Sequence, residues 1–421
     1  MFTKQTLSAF IGTLSLASAL TIPAADDVPT LAEVEAAAAT VIPLSPVSSV
    51  KGLVFDKFHQ IWFENQDYQT AADDVNFQKI AKEGILLTNY FATTHPSQPN
   101  YVASAAGDNF GMDNDDFRQI PANVSTIADL FDTKDIAWGQ YQQGLPYAGY
   151  QGYNFSNQET YANDYMRKHD PLIIFESVTN SDVRPRQIKN FTSFYDDLKH
   201  ERIPQYSFIT PNMTNDCHDT DITYGGKFLA DFLPPLLANE YFTKDSLILV
   251  TFDEAGNYTE ENRVYSILLG GAVPEHLKGT TDDTFYTHYS VIASLSANWG
   301  LPSLGRWDCG ANILSLVAEK IGFTNWNIDL TAVPDLLNET YPGPMSDGDY
   351  SKYEEYWPIP ATELLCNAGH GILELVKKTY NRRQATHNYI SPVPYDKRAG
   401  YNVGIPYWRT VDGKKETGVT N

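Results

Sequence analysis

Leu247-Ile248-Leu249-Val250-Thr251-Phe252-Asp253-Glu254 is the stretch on which the fold turns. Four consecutive aliphatic residues leave no polar face, as expected of a strand covered on both sides. The run then ends abruptly in two acids, followed by Ala255-Gly256. Working outward, Phe58 to Phe63, Ile136 to Tyr141, Gln205 to Thr210 and Tyr265 to Leu269 also read as strands. Val75 to Glu83, Tyr224 to Leu237 and Tyr289 to Trp299 carry helical spacing. Alternation of this kind predicts an α/β domain whose central, mostly parallel β-sheet is flanked by helices.

The domain is expected over residues 48–336. Ahead of it, Lys4, the apolar run Leu7 to Leu16 and Ala17-Ser18-Ala19 read as a signal peptide over residues 1–19. Residues 20–47, rich in Ala, Pro and Ser, read as a leader or loose N-terminal segment. Residues 337–421 form a Tyr/Pro-rich C-terminal extension whose end turns basic. It is expected either to wrap the domain or to extend from it.

A chain of 421 residues with 42% hydrophobic and 13% aromatic residues can bury a sizeable core. Its net charge of −22 and lack of a basic stripe over most of the chain exclude nucleic acid as the expected partner. No segment after the leader is long and apolar enough for a membrane helix, so no integral membrane association is expected. Six sequons, at Asn123, Asn154, Asn190, Asn212, Asn257 and Asn338, favour N-linked glycans and a secreted, extracellular or cell-wall location. Three cysteines allow one internal disulfide. Cys309–Cys366 is the expected pair because Cys217 adjoins a candidate site, although the sequence leaves other pairings open.

Ligands of open α/β sheets gather at the carboxyl ends of strands. Three expected strands lead into polar residues: Glu64-Asn65, Asp253-Glu254 and Asn215-Asp216-Cys217-His218-Asp219. Carboxylates, an amide and an imidazole make an oxygen and nitrogen ligand set for a divalent cation of open identity and number. A fourth stretch, His95-Pro96-Ser97-Gln98-Pro99-Asn100-Tyr101, puts a hydroxyl just ahead of a short helix that closes at Gly107. Free N–H groups and the dipole at a helix start favour an anion. Taken alone, Ser97 reads as an ordinary cap. Three polar strand ends on one sheet edge turn the reading toward a nucleophile.

Histidine is scarce, with nine in the chain. His59, His200, His276, His370 and His387 read as ordinary packed or surface residues. His218 and His288 read as functional, and His169 is balanced between the two. For His95, local hydrogen bonding competes with a role in the site. A cation beside Ser97 would lower its pKa, and the cation and the imidazoles would neutralise a phosphoryl group. The set suits phosphate-ester hydrolysis through a phosphoserine.

Together, Ile61-Trp62-Phe63-Glu64-Asn65-Gln66-Asp67-Tyr68, His95 to Tyr101, Asn215 to Asp219 and Phe252-Asp253-Glu254 resemble the phosphoesterase family of secreted fungal acid phosphatases. That family includes bacterial acid phosphatases and phospholipases C and belongs to the alkaline phosphatase superfamily. The resemblance spans roughly residues 50–325. It implies an alkaline-phosphatase-like fold, small phosphorylated substrates and Ser97 as nucleophile. It also implies a metal held by Glu64, Asn65, Asp253, Glu254 and the Ser97 oxygen. His218 and His169 would contact phosphate or protonate the leaving group, Asp219 would orient His218, and Asn100 would donate to phosphate. His288 matches no family motif and stays a candidate on its own. The Glu-Asn and Asp-Glu pairs depart from the Asp/His sets of superfamily members that bind two zinc ions. The implied activity is that of an acid phosphomonoesterase of broad specificity. A phospholipase C-type phosphodiesterase on the same scaffold and a non-catalytic extracellular glycoprotein are the alternatives.

Overall fold

The computed structural model describes residues 29–328, 337–341, 343–347 and 357–380, with the short strands 387–389, 405–408, 410–411 and 414–415. The expected signal peptide lies outside the described residues. Eight strands form the main sheet: β1 (Lys57–Phe63), β2 (Ile85–Leu87), β3 (Trp138–Gln142), β4 (Ile188–Asn190), β5 (Tyr206–Thr210), β6 (Ser246–Phe252), β7 (Ser266–Leu269) and β8 (Thr280–Asp282). Their order is β8-β2-β7-β6-β1-β5-β3-β4. From β6 to β4 every neighbour is parallel, and β7 alone runs against both of its neighbours. The expected mostly parallel α/β sheet is therefore present. The apolar run that announced it is its heart, since all seven residues of β6 are buried.

Alternate residues of β1 serve opposite faces, as the pleat requires. Trp62 packs on Tyr101 and His288, while Phe63 packs on Phe77 and Phe228. These contacts place four helices: α1 (Val75–Ala81) and α3 (Ile222–Leu237) cover one face, and α2 (Ser97–Ala106) and α4 (His288–Trp299) the other. Every residue of α2 and α4 is buried, so both are enclosed rather than amphipathic surface helices.

Two flanking segments are tied to the domain. In the leader, Leu31–Ala38 forms a helix closed by a Thr30–Glu33 capping box. The chain after it docks through Leu44 N–H to the Arg186 carbonyl (2.8 Å), Ser45 to Asp197 (2.8 Å) and Ser48 to Gln205 (2.6 Å). Backbone and hydroxyl groups with specific acceptors fix a segment that composition alone describes as loose. In the C-terminal extension, the Tyr341 hydroxyl donates to Asp108 (2.7 Å), and Cys366 forms a disulfide with Cys309. At these points the extension lies against the domain. Cys217 is buried and free.

Candidate active site

Parallel register carries the site. Phe63 lies opposite Phe252 at the ends of β1 and β6, so Glu64 and Asp253 leave the sheet side by side. The Asp253 N–H donates to the Phe63 carbonyl (2.9 Å), and the Glu64 N–H donates to the Asp216 carbonyl beyond β5 (2.8 Å). Asn65 turns the chain at φ +55°, a conformation its short polar side chain tolerates. Its N–H thereby reaches Asp253 Oδ1 (3.1 Å).

Ser97 is the first residue of α2, with Pro96 as a cap that supplies no side-chain acceptor. The helix thus begins at Ser97 itself rather than just after it, and Pro99 lies in its first turn. Ser97 Oγ donates to Glu64 Oε2 (3.0 Å), and the Tyr101 hydroxyl, one helical turn on, donates to Glu64 Oε1. His169 Nε2 lies 3.3 Å from Glu64 Oε2. The His218 ring centre is 5.4 Å from that of His169, and its Nδ1 meets Asp219 Oδ1 at 2.8 Å. One ligand atom from each of Glu64, His169 and His218 falls within 4.8 Å of the others.

Burial dominates the electrostatics. It pushes Glu64 well above the usual carboxylate range, with Asp253 and Asp216 adding repulsion. It raises Asp253 to about 6, and it raises Asp216 and Glu254 well above their ordinary values, each with Asp253 as a repelling neighbour. Burial, then Lys168 and His218, drives His169 well below an ordinary imidazole, and burial and Lys168 lower His218 against the pull of Asp219. Asp253 Oδ2, Asp216 Oδ2 and His169 Nε2 are buried with no hydrogen-bond partner among the described residues. Crowded carboxylates, neutral imidazoles and orphaned polar atoms pointing into one space are the donor chemistry of a divalent cation site.

Three expected site residues face elsewhere. Both Asn100 ends are spent on the preceding loop. Its oxygen accepts from Thr93 N–H (2.8 Å) and Thr93 Oγ1 (2.9 Å), and its nitrogen donates to the carbonyls of Thr94 (2.7 Å) and Pro96 (3.1 Å). A fully satisfied amide has no donor left for phosphate; Asn100 instead shapes the entry to Ser97. His288 stands behind the site, with Nε2 on the Asp253 carbonyl (2.7 Å), Nδ1 3.3 Å from the Tyr90 hydroxyl, and its ring on Trp62. Glu254 turns to His95 Nδ1 (2.7 Å) and the Tyr258 hydroxyl (3.2 Å), which occupies both of its oxygens. His95, the ambiguous histidine, is the second member of that pair, and burial lowers it to about 4.

Two site groups escaped the sequence reading. Asp216 was read only as part of its loop. Lys168 sits in Arg167-Lys168-His169-Asp170, where the sequence reading singles out only His169. It is buried, 2.8 Å from Asp115 and 3.0 Å from His218 Nε2. Burial would pull its ammonium down, but Asp115 and Glu64 outweigh that and hold it above its usual value. Its adjacency to His169 was the available signal.

The model of the Phosphoesterase family matches residues 50–302. The chain is 64% identical over 411 residues to the phosphate-repressible acid phosphatase of Penicillium chrysogenum, covering 98% of each chain. It is 60% identical over 422 residues to an acid phosphatase of Aspergillus niger, across 100% of both. It is also 59% identical over 402 residues to an acid phosphatase of Aspergillus fumigatus, covering 96% of this chain and 89% of that one. With a match over more than half its length, the chain belongs to the Phosphoesterase family.

Proposed function

We propose that this chain is a secreted, N-glycosylated acid phosphatase that hydrolyses phosphate monoesters of broad structure through a phosphoserine at Ser97. The observation that carries the reading is the Ser97 hydroxyl at a helix N-terminus, directed 3.0 Å onto a buried carboxylate of Glu64. The names of the fungal relatives support the reaction class.

In this reading Ser97 Oγ attacks phosphorus. The first-turn N–H groups of α2 and the Lys168 ammonium bind the phosphoryl oxygens. His218, oriented by Asp219 at its Nδ1, delivers a proton to the departing ester oxygen at acid pH. Water then cleaves the phosphoserine and releases orthophosphate. Asn100 and His288 act as positioning residues, one through the loop before Ser97 and the other through the Asp253 backbone. A divalent cation would be held by Glu64 and Asp253 with the Ser97 oxygen and Asn65, joined by His169 and Asp216. When bound, it lowers the hydroxyl pKa and neutralises charge on phosphorus. Glu254 contributes through His95 rather than directly.

The test is turnover of p-nitrophenyl phosphate and its bis-ester from acid to alkaline pH, with and without chelator, for the wild type and Ser97→Ala. We expect a preference for the monoester and a loss of at least about a thousandfold in Ser97→Ala. Undiminished turnover by the variant removes Ser97 as nucleophile. Preference for the bis-ester favours a phosphodiesterase.

A further inference from the structure

The loop that follows α2 returns over the helix start and brings Asp115 to the reacting end. Asp115 Oδ1 accepts from the Gln98 N–H (2.9 Å), and its Oδ2 accepts from Lys168 Nζ (2.8 Å). Gln98 is the residue after Ser97, and Lys168 in turn touches His218. A backbone N–H at a helix start and a buried ammonium are the donors that a tetrahedral oxyanion requires. In this structure a carboxylate of the chain itself holds both.

The loop is held in that place. The Gln98 side chain is buried and donates to the Asp116 carbonyl (2.9 Å), so the residue beside the nucleophile grips the loop with its amide and Asp115 with its N–H. Asp113, on the same loop, accepts from the Asp347 N–H (2.9 Å). Asp115 itself stays about a quarter exposed, at 26%, so it can swing to solvent where the buried acids of the site cannot.

We propose that Asp115 is a resident anion of the phosphate site: its carboxylate occupies the Gln98 N–H and the Lys168 ammonium until substrate phosphate takes them. This rests on the phosphatase reading above. Each turnover then exchanges Asp115 for the substrate phosphoryl group, and its return helps to expel orthophosphate. The residue sets anion affinity and favours release of the product. A helix cap built from a distant residue would have the same two contacts, but it predicts a different result when the charge alone is removed.

The experiment is the calorimetric Kd for inorganic phosphate of the metal-loaded wild type and of Asp115→Asn. The amide keeps an acceptor for Gln98 N–H, so a cap survives the change while the competing charge is lost. We expect phosphate to bind on the order of tenfold more tightly to Asp115→Asn. Unchanged or weaker binding overturns the proposal. A second measurement needs no variant: hydrogen exchange of amides 113–117 in the wild type with and without phosphate. Faster exchange with phosphate, as the loop is released, supports displacement, and equal or slower exchange overturns it. Both readouts are of binding, so a wild type that turned over no phosphate ester would count against the phosphatase reading in a separate assay.

Discussion

Asp253 concentrates the physics of the site in one side chain. One oxygen is satisfied by the N–H groups of Asn65 (3.1 Å) and Glu254 (2.7 Å), and the other is buried with no hydrogen-bond partner among the described residues. Burial raises its pKa to about 6, above the unfolded carboxylate value of 3.8. A folded-state pKa raised in this way means that the native form binds more protons than the unfolded one between those values. The stabilising contribution is therefore present at low pH and lost as pH rises through about 6. Glu64, Asp216 and Glu254 shift in the same direction. A bound cation would offset the repulsion among them. Chelated protein should thus lose thermal stability as pH rises from about 4 through about 6 more steeply than metal-loaded protein, as followed by calorimetry. Parallel curves would contradict this account of the cluster. At this scale Ser97, Glu64 and Asp253 were legible because each sits where an apolar run or a helix begins or ends. Lys168 and Asp216 were not, since adjacency to a candidate histidine does not by itself separate a buried lysine from a solvated one. The resemblance implies that Asn100 donates to phosphate, but the direction of its amide depends on loop carbonyls that no spacing reveals.

Helix α3 shows how an element can set the site without touching substrate. A Cβ at Gly225 would stand 2.1 Å from the Cys217 sulfur. Cys217 is buried with φ +87°, between Asp216 and His218, and has little room to yield. Gly225→Ala should therefore cost about 1–3 kcal/mol of stability through overpacking. It should also lower kcat by displacing the His218 loop, with both effects largely restored in Gly225→Ala/Cys217→Ala. Failure of the double variant to recover turnover would show that the loop does not depend on this contact. Elements of this size were readable where they were long or strongly apolar. The three-residue strands Ile85–Leu87, Ile188–Asn190 and Thr280–Asp282 escaped because so few residues carry too little pattern to separate from loop.

Across the whole molecule, the C-terminal extension is tied to the catalytic domain by covalent and polar links. Cys309–Cys366 closes 57 residues of chain. The Leu337 carbonyl accepts from Asn262 (3.0 Å), and Asn338 Oδ1 lies 3.0 Å from His95 Nε2, so the extension reaches the wall of the site. Loop-closure entropy for a disulfide of this span is about 4 kcal/mol. Reduction should lower the thermal midpoint by several degrees and add two thiols, those of Cys309 and Cys366, to the free Cys217. An unchanged midpoint with both new thiols titrated would mean that the extension is held without the bridge. The wrap was left open by the sequence because it depends on contacts between residues far apart in the chain, such as Tyr341 with Asp108.

The central claim is that phosphate passes through Ser97. The direct measurement is to mix the metal-loaded enzyme with a phosphate monoester at acid pH, quench with acid within one turnover, and map the phosphorylated peptide by mass spectrometry. The account predicts stoichiometric phosphate on the Ser97 oxygen, absent in Ser97→Ala. Phosphate on another residue, or full turnover with no covalent phosphate on the chain, would contradict it.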